Sequence, residues 1–370
     1  MDTYHAGLYL HIPICRSKCP YCDFYSLRAS QGVEEKYLSA LINKIKSLSR
    51  IYYNSFNSVY IGGGTPSVLG TQALSEIIKS VKDSFPIEND SEITVECNPF
   101  DAQKDDFDFE LLAMAGVNRI SMGMQSANDS ERRTLGRLSN TSMVGKAVKR
   151  AQAAGIQNIS LDLMLAIPDQ TADTLKKSID FCVETEAKHI SAYLLKIEEN
   201  TKFYQMRNSL NLPNEDAACN LYFTACDELE KAGYMQYEIS NFAKAGFESR
   251  HNLKYWNCDE YLGIGPSAHS FWNKKRFYYE RDIEKFISGN DPIDDGDGGS
   301  FEEYAMLRLR LTDGLIFDDV LKRFGHGIPE FMLDKARLFE KNGLTKVTPD
   351  RIALTREGFL VSNAIIAELL

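Results

Sequence analysis

The sequence predicts an α/β fold, a partial (β/α) barrel with a C-terminal winged-helix-like helical module. Three observations carry this expectation. Short β-rich runs alternate with amphipathic stretches up to about residue 240. An aromatic and Gly-rich run then breaks the pattern at 241. Beyond a segment crowded with Gly, Asp and Pro at 288–299, helical stretches are followed by an alternating hairpin.

The strand candidates are 7–13, 59–63, 92–98, 119–124, 160–167, 189–197 and, more weakly patterned, 234–240. Between them lie amphipathic stretches near 33–53, 71–84, 105–115, 141–154, 171–187 and 215–232. In the first, Leu38, Leu41, Ile42, Ile45 and Leu48 recur at helical spacing. Strands alternating with helices imply parallel pairing with right-handed crossovers, and six or more such units suggest a barrel or an open arc of one. The expected organisation is a barrel over 1–240, an aromatic and Gly-rich extension over 241–290 that covers it, and the winged-helix-like domain over 300–370. In that last domain helices are expected near 301–311, 317–324 and 328–342. A hairpin around Pro349 and Asp350 and a final helix follow.

Composition narrows the function. The 370 residues are 44% hydrophobic and 25% charged, an ordinary globular balance. A net charge of −10 argues against nucleic acid or an anionic membrane as the main partner. Residues 301–370 carry 10 basic and 11 acidic side chains, so the winged-helix-like region lacks a DNA-binding footprint and reads as structural or partner-binding. No apolar run approaches the roughly 18 residues of a transmembrane segment. No basic stretch precedes an apolar core at the N-terminus, so a secretory signal is not expected. The expected location is the cytoplasm, with peripheral placement at the membrane during delivery of a ligand.

Eight cysteines occur, and three of them, Cys15, Cys19 and Cys22, lie within eight residues. The other five are scattered and read as small buried hydrophobes. The C-x3-C-x2-C spacing directly follows the first strand. Three thiolates on a tight loop can hold three irons of a [4Fe–4S] cluster, leaving the fourth iron open to an exogenous molecule. A zinc site would need a fourth ligand, and His11 lies on the wrong side, within the strand.

This spacing, with Tyr21 just before the third cysteine, resembles the radical S-adenosylmethionine (SAM) superfamily. The resemblance implies that SAM chelates the open iron through its amino and carboxylate groups and is cleaved to a 5′-deoxyadenosyl radical. It continues in order along the chain. Gly62-Gly63-Gly64-Thr65-Pro66 follows the second strand, Glu96 ends the third and Gln125 the fourth; Arg137 follows, and Asp162 lies in the fifth. The implied SAM-binding set is Tyr9, Tyr21, Gly63, Gly64, Thr65, Glu96, Gln125, Arg137 and Asp162. Polar residues inside apolar strands need partners, and a cofactor with ribose hydroxyls and a carboxylate supplies them.

Within the superfamily the chain is similar to the oxygen-independent coproporphyrinogen III oxidase-like group. The decarboxylating branch carries an N-terminal extension and a further cysteine two residues after the third. Here Cys15 stands fourteen residues from the start and Phe24 occupies that position. Both features match the heme chaperone branch, HemW. So does His251-Asn252-Leu253-Lys254-Tyr255-Trp256, the HNxxYW motif of that branch. The resemblance implies three cofactors: a [4Fe–4S] cluster, SAM and heme. It also implies an acceptor hemoprotein and an electron donor for the cluster. An imidazole can ligate heme iron and aromatics can pack on a porphyrin, so His251 and Trp256 are the expected heme contacts, with His269 as the other candidate ligand. Lys196 stands where relatives usually have a small polar residue. The competing expectations are a coproporphyrinogen III dehydrogenase and a winged-helix regulator that senses iron or oxygen.

Overall fold

A computed structural model describes residues 5–30 and 32–370; the part of the N-terminal reading that concerns 1–4 lies outside them. Six parallel strands form its centre: β1 (Ala6–Ile12), β2 (Phe56–Gly63), β3 (Ile87–Cys97), β4 (Arg119–Gln125), β5 (Asn158–Leu165) and β6 (His189–Leu194). They lie side by side in chain order, with Leu8 opposite Val59, Val59 opposite Ile93 and Val95 opposite Ile120. Their connections are helical: α1 (Val33–Leu48), α2 (Gly70–Ser84), α3 (Phe109–Ala115), α4 (Thr141–Ala153) and α5 (Ala172–Glu184), with α6 (Glu215–Lys231) after β6. Side-chain caps stop several of these where the sequence offers one. Asp108 starts α3, Asn140 starts α4, Asn214 starts α6, and Thr171 with Thr174 closes a capping box on α5.

Strand parity decides the architecture. Leu8, Leu10, Val59, Ile61, Val95, Ile120, Met122, Leu161 and Leu163 are buried toward the helices, where they meet Leu41, Ile45, Leu74 and Ile77. The alternate residues are polar and face inward. The arc is not closed. Its order is β12–β11–β10–β9–β1–β2–β3–β4–β5–β6–β8–β7, where β7 is Met235–Gln236, β8 Asn241–Ala243, β9 Tyr261–Ile264, β10 His269–Trp272, β11 Lys275–Tyr278 and β12 Ile293–Asp297. The run at 234–240 therefore resolves into a short hairpin, with β8 antiparallel to β6.

The extension flanks the arc and reaches its mouth around Arg281, which donates to the Asp23 carbonyl. Its β9 pairs parallel with β1, and β10 to β12 widen the sheet beyond it. Its helix α7 (Arg250–Trp256) packs under the N-terminal ends of the strands, against β1 and β2. Part of the expected linker is strand β12, an acidic edge exposed along its whole length. The C-terminal region matches its expectation. Helices Phe301–Arg308, Phe317–Phe324 and Glu330–Glu340 precede a hairpin of Thr345–Val347 and Arg351–Leu354, joined by Leu315–Ile316, and two short helices end the chain. Among the described residues no helix is long and apolar enough to cross a membrane.

Glu92 closes the bottom of the arc. Its buried carboxylate accepts from the amides of Arg250 and His251, both at 3.0 Å, satisfying orphan donors at the start of α7. Glu92→Ala should lower folding stability by roughly 1–3 kcal/mol, because two buried amides lose their acceptor. Urea unfolding measures this, and unchanged stability would show that α7 is held by other contacts.

Candidate functional site

A cavity of about 740 Å³ opens at the C-terminal ends of the strands and continues down into the arc. The cysteine loop forms one wall. It leaves β1 at Pro13, and Ile14–Cys15 pairs with Leu27–Arg28 to bring the loop back on itself. The Cys22 amide donates to the Cys19 carbonyl at 3.2 Å and closes the turn. Neighbouring segments hold the loop from outside. The Phe203 amide donates to the Pro20 carbonyl at 2.9 Å, Arg281 donates to the Asp23 carbonyl at 2.6 Å, and the Ile283 amide donates to the Tyr25 hydroxyl at 2.9 Å.

Cys15, Cys19 and Cys22 are free, half-buried, and line this one cavity. Cys15 Sγ lies 3.3 Å from Thr65 Oγ1, and Arg137 Nη1 donates to Cys19 Sγ at 3.6 Å. Burial pushes the Cys15 and Cys22 thiols up, and the neighbouring thiols add to it. Among the described residues, no three His, Cys, Asp or Glu side chains converge on a point where one metal ion would sit. Three thiols on one loop are the donor set of a multi-iron cluster, in which each thiolate takes a different iron.

The inward side chains of successive strands form the opposite wall. Tyr9, Tyr21, Gly63, Gly64, Thr65, Glu96, Gln125, Arg137 and Asp162 all line the cavity that holds the three thiols. Glu96 accepts from the Tyr60 hydroxyl at 2.8 Å and from the Gly63 amide at 3.1 Å. The Gly64 amide donates to the Ile12 carbonyl at 2.8 Å, so the glycine run is tied to the strand that feeds the cysteine loop. A Cβ on Gly64 would lie 2.8 Å from the carbonyls of Ile12 and Ile14, which explains the glycine there. Gln125 holds a φ of 71°, in the left-handed region that a non-glycine residue adopts at some cost. Arg137 donates to the Gly123 carbonyl at 2.7 Å, yet its buried Nε has no protein partner. An orphaned donor, a glycine cradle and unpaired thiols around one space fit a polar ligand beside a cluster.

Burial raises both interior acids. Glu96 is pushed up to about 7, with Asp162 adding to the effect, and Asp162 is pushed up to about 6. The Arg119 guanidinium pulls both back down, and Ser121 Oγ donates to Asp162 at 3.4 Å.

His251 is placed elsewhere. It is 0% exposed beneath the arc; its Nδ1 lies 2.9 Å from Ser58 Oγ and its Nε2 2.8 Å from the Tyr255 hydroxyl. Its ring stacks on Tyr60 at 5.3 Å, and burial lowers its pKa to about 3. With both ring nitrogens engaged, His251 seats α7 in the core and does not line the cavity. Trp256 is half-buried and also off the cavity, whereas Asn252 reaches the cavity from below. His269 is the one exposed residue of β10, stacked on Tyr278 at 5.2 Å. Lys196 sits at the rim, largely exposed, and pairs with Glu198 at 2.7 Å.

Sequence reasoning missed Tyr60, Arg119, Ser121 and Ser191, which line the interior between the expected residues. The signal was present, since Tyr60 shares its strand parity with Gly62, and Arg119 and Ser121 share theirs with Gly123 and Gln125.

The sequence pattern of the Radical SAM superfamily matches residues 9–182, and that of the HemN C-terminal domain matches residues 301–361. The chain is 32% identical over 374 residues to the heme chaperone HemW of Bacillus subtilis (strain 168), covering 98% of each chain. It is 32% identical to the heme chaperone HemW of Lactococcus lactis subsp. lactis, covering 98% of this chain and 96% of that one. Against the heme chaperone HemW of Escherichia coli (strain K12) it is 37% identical over 266 residues, which is 71% of this chain and 69% of that one. Among solved structures, coproporphyrinogen III oxidase (HemN) from Escherichia coli, described as a radical SAM enzyme, superposes with a TM-score of 0.84 at 19% identity. It covers 99% of this chain and 90% of that one, and so shares the fold.

The raised acids set a pH dependence. Glu96 and Asp162 bind protons more tightly in the folded chain than in the unfolded one, where carboxylates titrate near 4. Between about pH 4 and 7 the folded state therefore carries more protons, and these two groups make stability fall as pH rises. Glu96→Gln should remove part of this fall, on the order of 1–3 kcal/mol between pH 5 and pH 7.5. Urea unfolding of the ligand-free chain at the two pH values tests it. An identical slope in wild type and variant would mean that Glu96 is not perturbed.

Proposed function

Because the chain belongs to the radical SAM superfamily, in the group of the heme chaperones named HemW, we propose that it binds heme and passes it to an acceptor hemoprotein. Membership of the superfamily implies a [4Fe–4S] cluster and SAM. The observation that carries the reading is one cavity lined by three unpaired thiols and by every residue of the expected SAM set, in a chain similar to such chaperones over 98% of its length.

Cys15, Cys19 and Cys22 hold the cluster, and an external electron donor reduces it. When bound, the cluster with SAM supplies one-electron chemistry at a sulfonium. The chain's own residues then have separable tasks. Gly63 and Gly64 let a ligand approach the backbone, and Thr65 sits beside Cys15. Glu96 and Asp162 offer carboxylates to a cationic amino group and to ribose hydroxyls. Arg137 keeps Cys19 in place through one nitrogen and is tied to the Gly123 carbonyl through another. Tyr9 and Tyr21 close the space from the β1 and cysteine-loop sides.

Of the candidate heme ligands, His251 is buried with both ring nitrogens engaged. Cavity-facing His11 has Nδ1 against the Tyr9 hydroxyl at 2.9 Å and Nε2 against the Tyr25 carbonyl at 3.1 Å, so it too is engaged. His269 stands in the open with an aromatic ring against it, and takes the axial-ligand role in this proposal. The eight unpaired cysteines suit a reducing compartment, which supports a cytoplasmic setting in this proposal.

Two outcomes test the reading. After anaerobic reconstitution the triple Cys15, Cys19 and Cys22→Ala variant should hold no iron or sulfide, while Cys97→Ala and Cys258→Ala retain both; normal iron in the triple variant ends the cluster assignment. Heme titration should give about one heme per chain, with His269→Ala altering the spectrum and His251→Ala leaving it close to wild type. A chain that ignores heme but decarboxylates coproporphyrinogen with consumption of SAM is a dehydrogenase instead.

A further inference from the structure

Asp101 lies just past β3, in the run Glu96-Cys97-Asn98-Pro99-Phe100-Asp101, and is 1% exposed. Its Oδ1 accepts from Arg16 Nε, with Lys104 Nζ 3.6 Å away, and its Oδ2 accepts from Ser67 Oγ at 3.1 Å. Ser67 Oγ in turn accepts from the Asn98 amide at 2.9 Å. One buried carboxylate thus joins the loops that follow β1, β2 and β3. A buried charge is tolerated only when its partners are in place, so this junction is rigid.

The Arg16 arm has a particular reach. Arg16 is the residue after Cys15, and its guanidinium lies over the Phe100 ring at 5.8 Å. Ser67 is two residues after Thr65, whose hydroxyl touches Cys15 Sγ. Both sides of Cys15 are therefore anchored, directly or through one residue, on the same carboxylate. The arm is more than loop closure for its own sake. Ser67 and Asn98 alone already join the β2 and β3 loops, whereas Arg16 adds only the cysteine loop to them.

We infer that Asp101 is a positioning residue for the cysteine site, acting through Arg16 to hold Cys15 in place while iron is acquired and retained. The inference rests on the proposal that Cys15, Cys19 and Cys22 hold a cluster. Residues that orient metal ligands in this way typically matter by one to two orders of magnitude in metal retention.

The test uses the full chain, reconstituted anaerobically, with release of iron to a colorimetric ferrous chelator as the readout and the melting temperature of the iron-free chain as control. Asp101→Asn keeps the shape but removes the charge that Arg16 needs, and should speed iron release about tenfold. Arg16→Gln should act in the same direction while Lys104 and Ser67 still partner the buried carboxylate. If Asp101→Asn fails to fold, Arg16→Gln carries the test. The double variant should release iron no faster than the worse single one, since the two residues form one contact. Wild-type release rates in both variants, even with lowered melting temperatures, would make Asp101 a purely structural residue and overturn the inference. So would additive effects in the double variant. A wild-type chain that takes up no iron overturns the cluster proposal and this inference together, and is told apart because that result needs no variant.

Discussion

The structure depends on a polar barrel interior. In a closed (β/α) barrel the inward residues are branched aliphatics that fill the space in layers. Here alternate positions of β1 to β6 place Tyr9, Tyr60, Glu96, Arg119, Ser121, Asp162 and Ser191 inside, and the apolar residues of the same strands face the helices. Such an interior cannot fill itself. Thr94 Oγ1, Arg119 Nε and Arg137 Nε remain buried with no protein partner. Unmet polar groups of this kind are costly unless water or a ligand meets them. The arc must be stoppered at one end and occupied from the other.

The stopper is α7. Glu92 receives its first amides, and His251 fills the space over Gly7, where a Cβ would lie 3.1 Å from the imidazole. Lys254 then donates to the His5 carbonyl at 2.8 Å. With the bottom closed, every loop that bears a candidate ligand gathers at the other end, which is where parallel arcs place their chemistry. The cysteine loop is fixed there by contacts from three distant parts of the chain, around 101, 203 and 281–283. That gives preorganised ligands without needing a regular element in the loop itself.

The chemistry was more legible than the topology. Period-2 runs located β1 to β6 within a few residues, because each buries an apolar face against helices that a 3.6-residue period also marked. The cysteine spacing and the glycine run were legible because close ligand contacts restrict residue type directly. What failed was the sense of end and edge. The HNxxYW segment carries the same residues whether it stoppers the arc or covers its mouth, and only the pairing of β9 with β1 sends it underneath. The Ile-Asp-Asp-Gly-Asp run looked like linker because an edge strand open to water needs no apolar alternation. The bond between His251 and Ser58 spans 193 residues of chain, which sequence proximity cannot anticipate.

The two interior acids give the site a charge that can follow its contents. Fully ionised, Glu96 and Asp162 would face each other across a low-dielectric space with Arg119 as the shared counter-charge, and burial opposes that state. At neutral pH, with Glu96 pushed up to about 7 and Asp162 to about 6, the pair carries between one and two negative charges, which Arg119 balances in part. A cationic ligand entering the cavity would stabilise the second carboxylate, so the ionised form appears when the ligand arrives and its cost falls on the complex rather than on the empty fold. A neutral ligand meets a Glu96 that holds its proton about half the time near pH 7, available as a donor in that form. The poise of these two acids beside one guanidinium follows from the polar parity of the strands, which places all three inside the arc.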